Sequence, residues 1–303
     1  MRIAVAGTPR VALPVLDWLL QSEHEMVLVI SQPDRKSGRG QSASASPVKQ
    51  WALDHNIPCV TPEYSAELAP ILSDIDCVVT VAYGVLLPPN ILNIPTHGFV
   101  NVHFSLLPQW RGAAPVQRGI LHGDTKTGVT VFKLEAGMDT GPIYAQQEMS
   151  ILENETSGDL LDRLASKATT VLGQALQMIE AGDPPIPQSS FGISYAPKFS
   201  KTEAAIHWTD SAERIHATVR AFTPEPGAWS TWRDVSIGIN ECQVFAGELE
   251  LEPGELVMHA GKVLVGCSSS CLEVIRVTPS GKRTMNASEW FNGARWQPGD
   301  RFE

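Results

Sequence analysis

Short apolar runs rich in β-branched residues alternate with helix-compatible segments along the first hundred residues. The runs lie at residues 2–6, 26–31, 57–60, 76–82 and 99–104. Segments such as VLDWLLQS and SPVKQWALDH lie between several of them. Parallel strands need a crossover between them and are buried on both faces, so this alternation predicts an open, mostly parallel sheet covered by helices. The predicted fold class is therefore α/β of the Rossmann-like kind.

A long amphipathic helix is predicted after two strands that lie within residues 128–151. Its apolar positions follow the 3.6-residue period, and they are Leu161, Leu164, Ala168, Val171, Leu172, Ala175 and Ile179. Gly182 and Pro184 supply the stop signal. Beyond them the chain becomes rich in Pro and Ser, which predicts a first domain over residues 1–184 and a linker over 185–206.

The remainder of the chain, residues 207–303, predicts a second, smaller domain. A short helical segment, AERIHATVRAF, precedes a series of short strands separated by glycine-containing turns. Short strands at this spacing are typical of a small β-barrel, and the pattern resembles an OB-like barrel.

Polar side chains interrupt the last of the early strands, in the stretch NVHFSLLPQWRG. Residues i and i+2 of a strand point to the same face, so Asn101 and His103 are directed to one spot. Ligands of open α/β sheets bind at the carboxyl ends of the strands, and these two residues lie at such an end. The first loop, AGTPRVA, lacks the GxGxxG pattern, so we predict no dinucleotide cofactor.

Two loops complete the candidate chemistry: LEAGMDTGP, which contains Asp139, and the basic PDRKSGRGQ. Each feature alone has a purely structural explanation. His103 fits a hydrogen-bonded buried histidine, Asn101 a strand end, Asp139 a turn cap, and the basic loop a solvated surface. Their combination is what favours a functional site.

Composition and charge narrow the functional classes. The net charge is −10 and both halves of the chain are acidic, which argues against nucleic-acid binding by a bulk positive field and leaves only local basic clusters. The five cysteines predict reduced, mostly buried thiols, and the Cys267/Cys271 pair lacks a second ligand pair, so no metal site is predicted. No segment resembles a signal peptide or a membrane span, which predicts a cytoplasmic protein.

The run NVHFSLLPQWRGAAPVQRGILHGDTKTGVTVFKLEAGMDTGPI resembles the folate-dependent formyltransferases. Members of this family present an Asn, a His two residues later, an SLLP turn and a downstream Asp in a loop ending DTGPI. The resemblance implies that Asn101, His103 and Asp139 form the catalytic trio. It also implies 10-formyltetrahydrofolate as the formyl donor, without a metal.

Within the family, four further segments resemble the members that act on methionyl-tRNA. These are AGTPRVA, SQPDRKSGRGQ followed by SPVK, RGAAPVQRGI, and SYAPKFSKTEAAIHW. The resemblance implies formyl transfer to the α-amine of methionyl initiator tRNA for translation initiation, by a monomer without a membrane or a stable protein partner. It implies tRNA binding by Arg35, Lys36 and Arg39, with Arg39 discriminating the initiator. The sequence departs from the family in QSASAS, where lysines are usual, and in Phe104, where a small residue is usual.

The expected chemistry agrees with this trio. An amine that attacks a formyl carbon creates an oxyanion, which the Asn101 amide and a protonated His103 can stabilise. Asp139 is expected to raise the pKa of the imidazole and to relay a proton, directly or through water. The predicted folate-binding residues are Tyr83, Val85, Leu86, Leu87, Ser105, Leu106, Leu107, Pro108, Gly137 and Gly141. Strand core for the apolar residues and simple turn geometry for the glycines remain alternatives.

Two rival functions stay open from the sequence. One is a formyltetrahydrofolate hydrolase, or a formyltransferase acting on a nucleotide sugar or small amine, which would share the trio but give no reason for the basic loop or the barrel. The other is a non-catalytic folate-binding or RNA-binding module. An intact trio argues against the second rival.

Overall fold

The computed structural model describes residues 1–37, 42–297 and 299–303. Two compact units are present, and each is built from several stretches of chain. Unit 1 comprises Met1–Pro115, Lys126–Ser150 and Leu161–Pro197, and unit 2 comprises Val116–Thr125, Ile151–Leu160 and Lys198–Glu303. The sequence-based bounds of 1–184 and 207–303 stay predictions, since the units are not simple halves of the chain.

The elements up to residue 197 follow the predicted alternation of strands and helices. The strands are β1 (Arg2–Gly7), β2 (Glu25–Ile30), β3 (Arg35–Ser37), β4 (Ser42–Ser44), β5 (Cys59–Val60), β6 (Cys77–Val81), β7 (Phe99–His103), β8 (Arg111–Gly112), β9 (Lys126–Lys133), β10 (Ile143–Ser150) and β11 (Tyr195–Ala196). The helices are α1 (Leu13–Leu20), α2 (Pro47–Asp54), α3 (Pro89–Leu92), α4 (Pro115–His122) and α5 (Ser157–Ala181).

A seven-stranded sheet of order β10-β9-β7-β6-β1-β2-β5 organises unit 1. The five strands from β7 to β5 are parallel, whereas β9 and β10 run antiparallel at one side. The middle strands β1, β6 and β7 are almost entirely buried, as their apolar runs require. Strand β1 pairs with β2 on one side and with β6 on the other, so the direction of chain progression reverses between β1 and β6. The predicted mostly parallel α/β sheet is confirmed.

Local signals define the helix ends as expected. Pro47 occupies the first turn of α2, and the Ser46 side chain accepts a hydrogen bond from the Lys49 amide at 3.0 Å, which caps the helix. Helix α5 buries the apolar stripe that includes Leu164, Leu172 and Ile179. Gly182 follows α5 with a φ of +74°, the left-handed conformation that ends many helices.

Unit 2 contains the remaining elements and has a core of its own. They are α6 (Ala212–Phe222), β12 (Ala228–Trp232), β13 (Val235–Val244), β14 (Leu256–His259), β15 (Lys262–Gly266), β16 (Cys271–Pro279), β17 (Met285–Asn286) and α7 (Ala287–Gly293). The antiparallel order is β12-β13-β16-β15-β14, and β17 also pairs with β16.

Residues 301–303 close this sheet into a small barrel. Phe302 bridges to Trp232 at the end of β12, and Arg301 bridges to Glu255 beside β14. The Phe302 amide also donates to the Gly254 carbonyl at 2.8 Å, and a Cβ on Gly254 would overlap the Phe302 carbonyl oxygen. Both edges are therefore hydrogen-bonded, which removes the unpaired edges of an open sheet and agrees with the predicted small barrel.

Two further observations concern features predicted from composition. All five cysteines are free, and four of them are buried. Within the described ranges, no helix combines the length and apolarity needed to cross a bilayer.

Candidate active site

The carboxyl ends of β6 and β7 bring the first polar residues together. Thr80 on β6 is the register partner of Asn101 on β7, one and two residues before the last residues of their strands. His103 follows two residues later on the same face of β7, with a side chain that is 6% exposed. Parallel pairing thus places a hydroxyl, an amide and an imidazole at one edge.

The orientation of the Asn101 amide is set by Thr80. The Thr80 hydroxyl donates to Asn101 Oδ1 at 2.7 Å and lies 3.1 Å from the Val100 carbonyl. Because the amide oxygen is engaged, the two Nδ2 protons are the groups that Asn101 can offer to a reacting oxygen. Sequence reasoning missed Thr80, although a threonine in the otherwise apolar run CVVTV is a detectable signal.

His103 is fixed by the turn that follows its own strand. Nε2 lies 2.9 Å from the Trp110 carbonyl oxygen, and since a carbonyl only accepts, Nε2 carries the proton. The Phe132 ring contacts the imidazole edge to face, with centroids 6.4 Å apart. In neutral His103, Nδ1 is therefore the unprotonated nitrogen.

Asp139 faces that nitrogen from the loop between β9 and β10. Its Oδ2 lies 3.7 Å from His103 Nδ1, and the side chain is 16% exposed. The same Oδ2 accepts the Gly112 amide at 2.7 Å. Asp139 has a φ of +52°, a conformation that is uncommon outside glycine and that Asp tolerates better than most residues. The carboxylate is thus held in place rather than freely solvated.

Burial and charge act on His103 in opposite directions. Burial lowers the pKa of His103 below its usual value, while the Asp139 carboxylate and the bond to the Trp110 carbonyl raise it. The net pKa is lowered, so the expected raising effect of Asp139 is present but is outweighed by loss of solvent. The neutral imidazole is favoured near neutral pH, which makes Nδ1 a proton acceptor.

The turn at residues 105–108 is held by Thr130 on β9. The Thr130 hydroxyl donates to the Ser105 carbonyl at 2.6 Å and lies 3.2 Å from the Leu107 amide, which donates to it. Gln146 donates to the Leu107 carbonyl at 3.0 Å. Ser105 and Leu107 are buried, and Leu106 and Pro108 are half-buried. Folate binding by this turn stays a prediction.

The other predicted folate residues follow β6. Tyr83 and Leu87 are buried, whereas Val85 is exposed and Leu86 is 81% exposed. A cavity of about 380 Å³ adjoins this segment, and its lining includes Tyr83, Val85, Gln32 and Tyr64. Since β6 and β7 are adjacent and parallel, residues 83–87 and 105–108 leave the sheet from the same edge.

The two predicted glycines differ in what surrounds them. A Cβ at buried Gly141 would overlap the Lys133 carbonyl, so backbone packing explains this glycine without a ligand. Gly137 is exposed, and a Cβ there would meet the Thr140 side chain. Contact with a pterin stays a prediction for both.

The predicted tRNA loop is described only in part. Arg35 and Lys36 lie in β3, which pairs with β4 as a short antiparallel ribbon. Arg39 lies outside the described residues.

Four more residues join the site that sequence patterns did not indicate. Trp110 supplies a carbonyl, Gly112 an amide, and Arg111 and Gln188 form hydrogen bonds at the Asp139 loop. Contacts made by main-chain groups cannot be predicted from residue type. Gln188 lies in a Pro- and Ser-rich stretch whose composition is typical of a linker.

The α/β fold and a site that presents an amide, an imidazole and a carboxylate are what a group-transfer enzyme requires. The chain belongs to the formyl transferase family. The Formyl transferase model matches residues 1–176, and the Formyl transferase C-terminal domain model matches residues 198–295. The resemblance predicted from the motifs is thereby confirmed.

Curated relatives match over the full length. The methionyl-tRNA formyltransferase of Salinispora tropica is 44% identical, with 99% of each chain covered. That of Thermobifida fusca is 43% identical, with 100% of this chain and 99% of the relative covered.

Solved structures share the fold at lower identity. WlaRD, a sugar 3N-formyl transferase determined in the presence of dTDP and 5-N-formyl-THF, is 20% identical with a TM-score of 0.70, covering 93% of this chain and 99% of that one. HypX from Aquifex aeolicus in complex with tetrahydrofolic acid is 16% identical with a TM-score of 0.69, and all of this chain matches half of that chain.

Proposed function

We propose that this enzyme transfers the formyl group of 10-formyltetrahydrofolate to the α-amine of methionyl initiator tRNA. The chemical part rests on one observation: His103 Nδ1 faces the Asp139 carboxylate while Nε2 is held by the Trp110 carbonyl. The substrate part is supported by full-length similarity to relatives named methionyl-tRNA formyltransferase.

Asn101 is proposed to stabilise the negative charge that forms during the reaction. Nucleophilic attack by the amine on the formyl carbon forms a C–N bond and leaves negative charge on the formyl oxygen. Asn101 Nδ2 donates to that oxygen, since Oδ1 is engaged by Thr80. Losing one such donor costs roughly 3–4 kcal/mol of barrier.

The proton follows a path along His103 and Asp139. The attacking amine must lose one proton, and N10 of the folate must gain one as its bond to the formyl carbon breaks. Neutral His103 Nδ1 accepts the proton, with the imidazolium stabilised by Asp139, and returns it to N10. This use of His103 as a base differs from the donor role predicted for a protonated imidazole, because burial lowers the pKa of His103.

The donor is proposed to lie at the carboxyl edge of the sheet. Residues 83–87 and the turn 105–108 leave that edge on adjacent strands. The cavity beside Tyr83 and Val85 supplies an aromatic and apolar wall, the kind of surface that a pterin ring contacts. No step of this proposal uses a metal.

The tRNA is proposed to bind through the basic loop that contains Arg35, Lys36 and Arg39, in a chain whose overall net charge is −10. Local cationic side chains are needed because the overall field repels a polyanion. We further propose that the enzyme acts in the cytoplasm as a monomer without a stable protein partner.

The test is transfer of labelled formyl from 10-formyltetrahydrofolate to methionyl initiator tRNA, beside methionyl elongator tRNA. The expected result is label on the initiator alone. Label on small amines, or release of formate without tRNA product, would favour a rival enzyme of the same family. Binding of folate or RNA with neither reaction would favour the non-catalytic module.

The role of the basic loop has its own test. Arg39→Ala is expected to reduce kcat/KM for initiator tRNA while leaving folate binding unchanged. Arg10→Ala, which removes an arginine whose side chain is 80% exposed, is the matched control. Unchanged tRNA kinetics in Arg39→Ala would refute the role.

A further inference from the structure

The segment of residues 186–196 contacts the candidate active site of unit 1 at several points, although its composition is typical of a linker. Ile186 bridges to Ile143 at the start of β10, and β11 pairs in parallel with β8. The Trp110 amide donates to Ser194 Oγ at 2.9 Å. A Cβ on Gly112 would lie 2.7 Å from the Ala196 carbonyl oxygen, so the two backbones are in close contact.

Gln188 is the side chain of this segment that reaches the Asp139 loop. Its Nε2 donates to the carbonyls of Asp139 and Gly141, each at 2.8 Å. Its Oε1 accepts from Arg111, at 2.7 Å from Nη2 and 3.2 Å from Nε. Carbonyls only accept and a guanidinium only donates, so the amide has one satisfactory orientation.

The two carbonyls that Gln188 binds lie on either side of Thr140. They therefore define the path of the loop at the residue whose φ is +52°. The Gly112 amide holds the carboxylate of the same residue at 2.7 Å. Backbone and side chain of Asp139 are thus held from two directions, and Arg111 and Gly112 are neighbours in β8.

The buried Arg111 guanidinium gives this arrangement its rigidity. Arg111 is 8% exposed, and a buried cation needs firm partners to offset its desolvation. Its two bonds to one oxygen fix the Gln188 side chain, whose partners are Arg111 in β8 and the Asp139 and Gly141 carbonyls of the site loop. A hydrogen-bonded chain therefore runs from Arg111 through Gln188 to Asp139.

We propose that Gln188 is a positioning residue that sets the distance between the Asp139 carboxylate and His103 Nδ1. The proposal rests on the proposed function, because it assigns Gln188 a part in that reaction. Gln188 does not touch the reacting atoms; it acts through the Asp139 loop.

Two substitutions test the proposal kinetically. Gln188→Met keeps length and removes all hydrogen bonds, and Gln188→Glu keeps an acceptor for Arg111 but places a carboxylate against two carbonyls. Both are expected to lower kcat, by up to about 100-fold for a displacement near 1 Å, with little change in the KM for folate. Gln177→Met and Gln177→Glu, at an exposed position of α5, are the matched controls and should behave as wild type.

A second readout separates positioning from mere stability and does not need turnover. NMR titration of the His103 imidazole, assigned with His103→Gln, should show a lower pKa in Gln188→Met, because Asp139 moves away and burial acts unopposed. Gln188→Glu should raise the pKa, because the new carboxylate stabilises the imidazolium. Asp139 is the charged group that acts on His103 among the described residues.

The outcomes distinguish the two proposals. Wild-type kcat per folded molecule and an unchanged His103 pKa in both Gln188 variants would overturn the positioning role, whatever their melting temperatures. If wild-type protein itself transfers no formyl group, the proposed function fails, while the imidazole titration still decides whether Gln188 sets the Asp139–His103 distance.

Discussion

The carboxyl edge of the unit 1 sheet and the interior of the unit 2 barrel bury different kinds of side chain. The edge buries polar groups, each with a hydrogen-bond partner: Thr80, His103, Ser105, Arg111 and Thr130. The barrel buries large rings, and Phe302 stacks between Trp208 and Trp290 with centroids 5.3 and 5.6 Å away.

This difference indicates what each region contributes. A buried polar group costs free energy unless it is hydrogen-bonded, so the edge gains orientation rather than much stability from its polar residues. Buried aromatic rings contribute free energy of folding through apolar area and packing. Substitutions at the edge should therefore act mainly on rate, and substitutions in the barrel mainly on stability.

The largest expected effect is on rate at the edge. His103→Gln and Asp139→Asn are each expected to lower formyl transfer by about 10²–10⁴-fold, because each removes a group from the proposed proton path. Thermal unfolding should change little. Single-turnover transfer assays and melting curves measure both, with exposed His259→Gln as the control. Turnover within tenfold of wild type in either variant would contradict the assigned roles.

The barrel provides the opposite case. Phe302 is 2% exposed, and Phe302→Ala removes a ring that packs between two tryptophans and lies in the closing residues. The expected loss is about 3–5 kcal/mol of unfolding free energy. Denaturant titration measures it, and Val235→Ala, at a position 52% exposed, should cost less than about 0.5 kcal/mol. Equal losses of unfolding free energy in Phe302→Ala and Val235→Ala would contradict the stabilising role assigned to the barrel interior.

A smaller effect is expected from Thr80, on the strand beside Asn101 and His103. Thr80→Val keeps the shape and removes the hydroxyl that orients Asn101. Loss of a hydrogen bond worth about 1 kcal/mol predicts a decrease of about fivefold in kcat. Thr80→Ser keeps the hydroxyl and is the control. If the valine and serine variants turn over equally, Asn101 is oriented by other contacts.

The last expected effect concerns pH and a half-buried histidine of unit 2. In α6, burial and then the charge of Arg220 lower the pKa of His216 from 6.5 to about 4, against an opposing effect of Glu153. As the pH falls, His216 of the unfolded chain binds a proton before His216 of the folded chain does. The contribution of neutral His216 to stability is therefore complete above about pH 6.5 and is lost as the pH falls towards 4.

His216→Gln should therefore lose less stability than wild type when the pH is lowered. Urea midpoints at about pH 7 and about pH 5 measure the difference between the two proteins. Parallel losses in wild type and variant would show that His216 titrates normally. The pKa of His103, in unit 1, is also lowered. His103→Gln should therefore likewise lose less stability than wild type when the pH is lowered.

Much of the site was predictable because its signals are local. The two-residue spacing of Asn101 and His103 determines that they share a face of β7, and the loop LEAGMDTGP indicated Asp139. The fold class and the family were predicted correctly from strand patterns and motifs. The glycine at position 141 was not interpretable from sequence, since close contact with a carbonyl and contact with a ligand require the same residue.

By itself, the sequence determined the parallel sheet, the small barrel and the family, and it proposed Asn101, His103 and Asp139 as the candidate trio, because these follow from periodicities and short spacings along the chain. Only the tertiary structure decided how the trio is held. The Arg111–Gln188 contact joins residues 77 positions apart, and the Gly112–Asp139 bond joins residues 27 apart. Such contacts depend on where folded segments meet, and the main-chain groups that make many of them are the same in every residue.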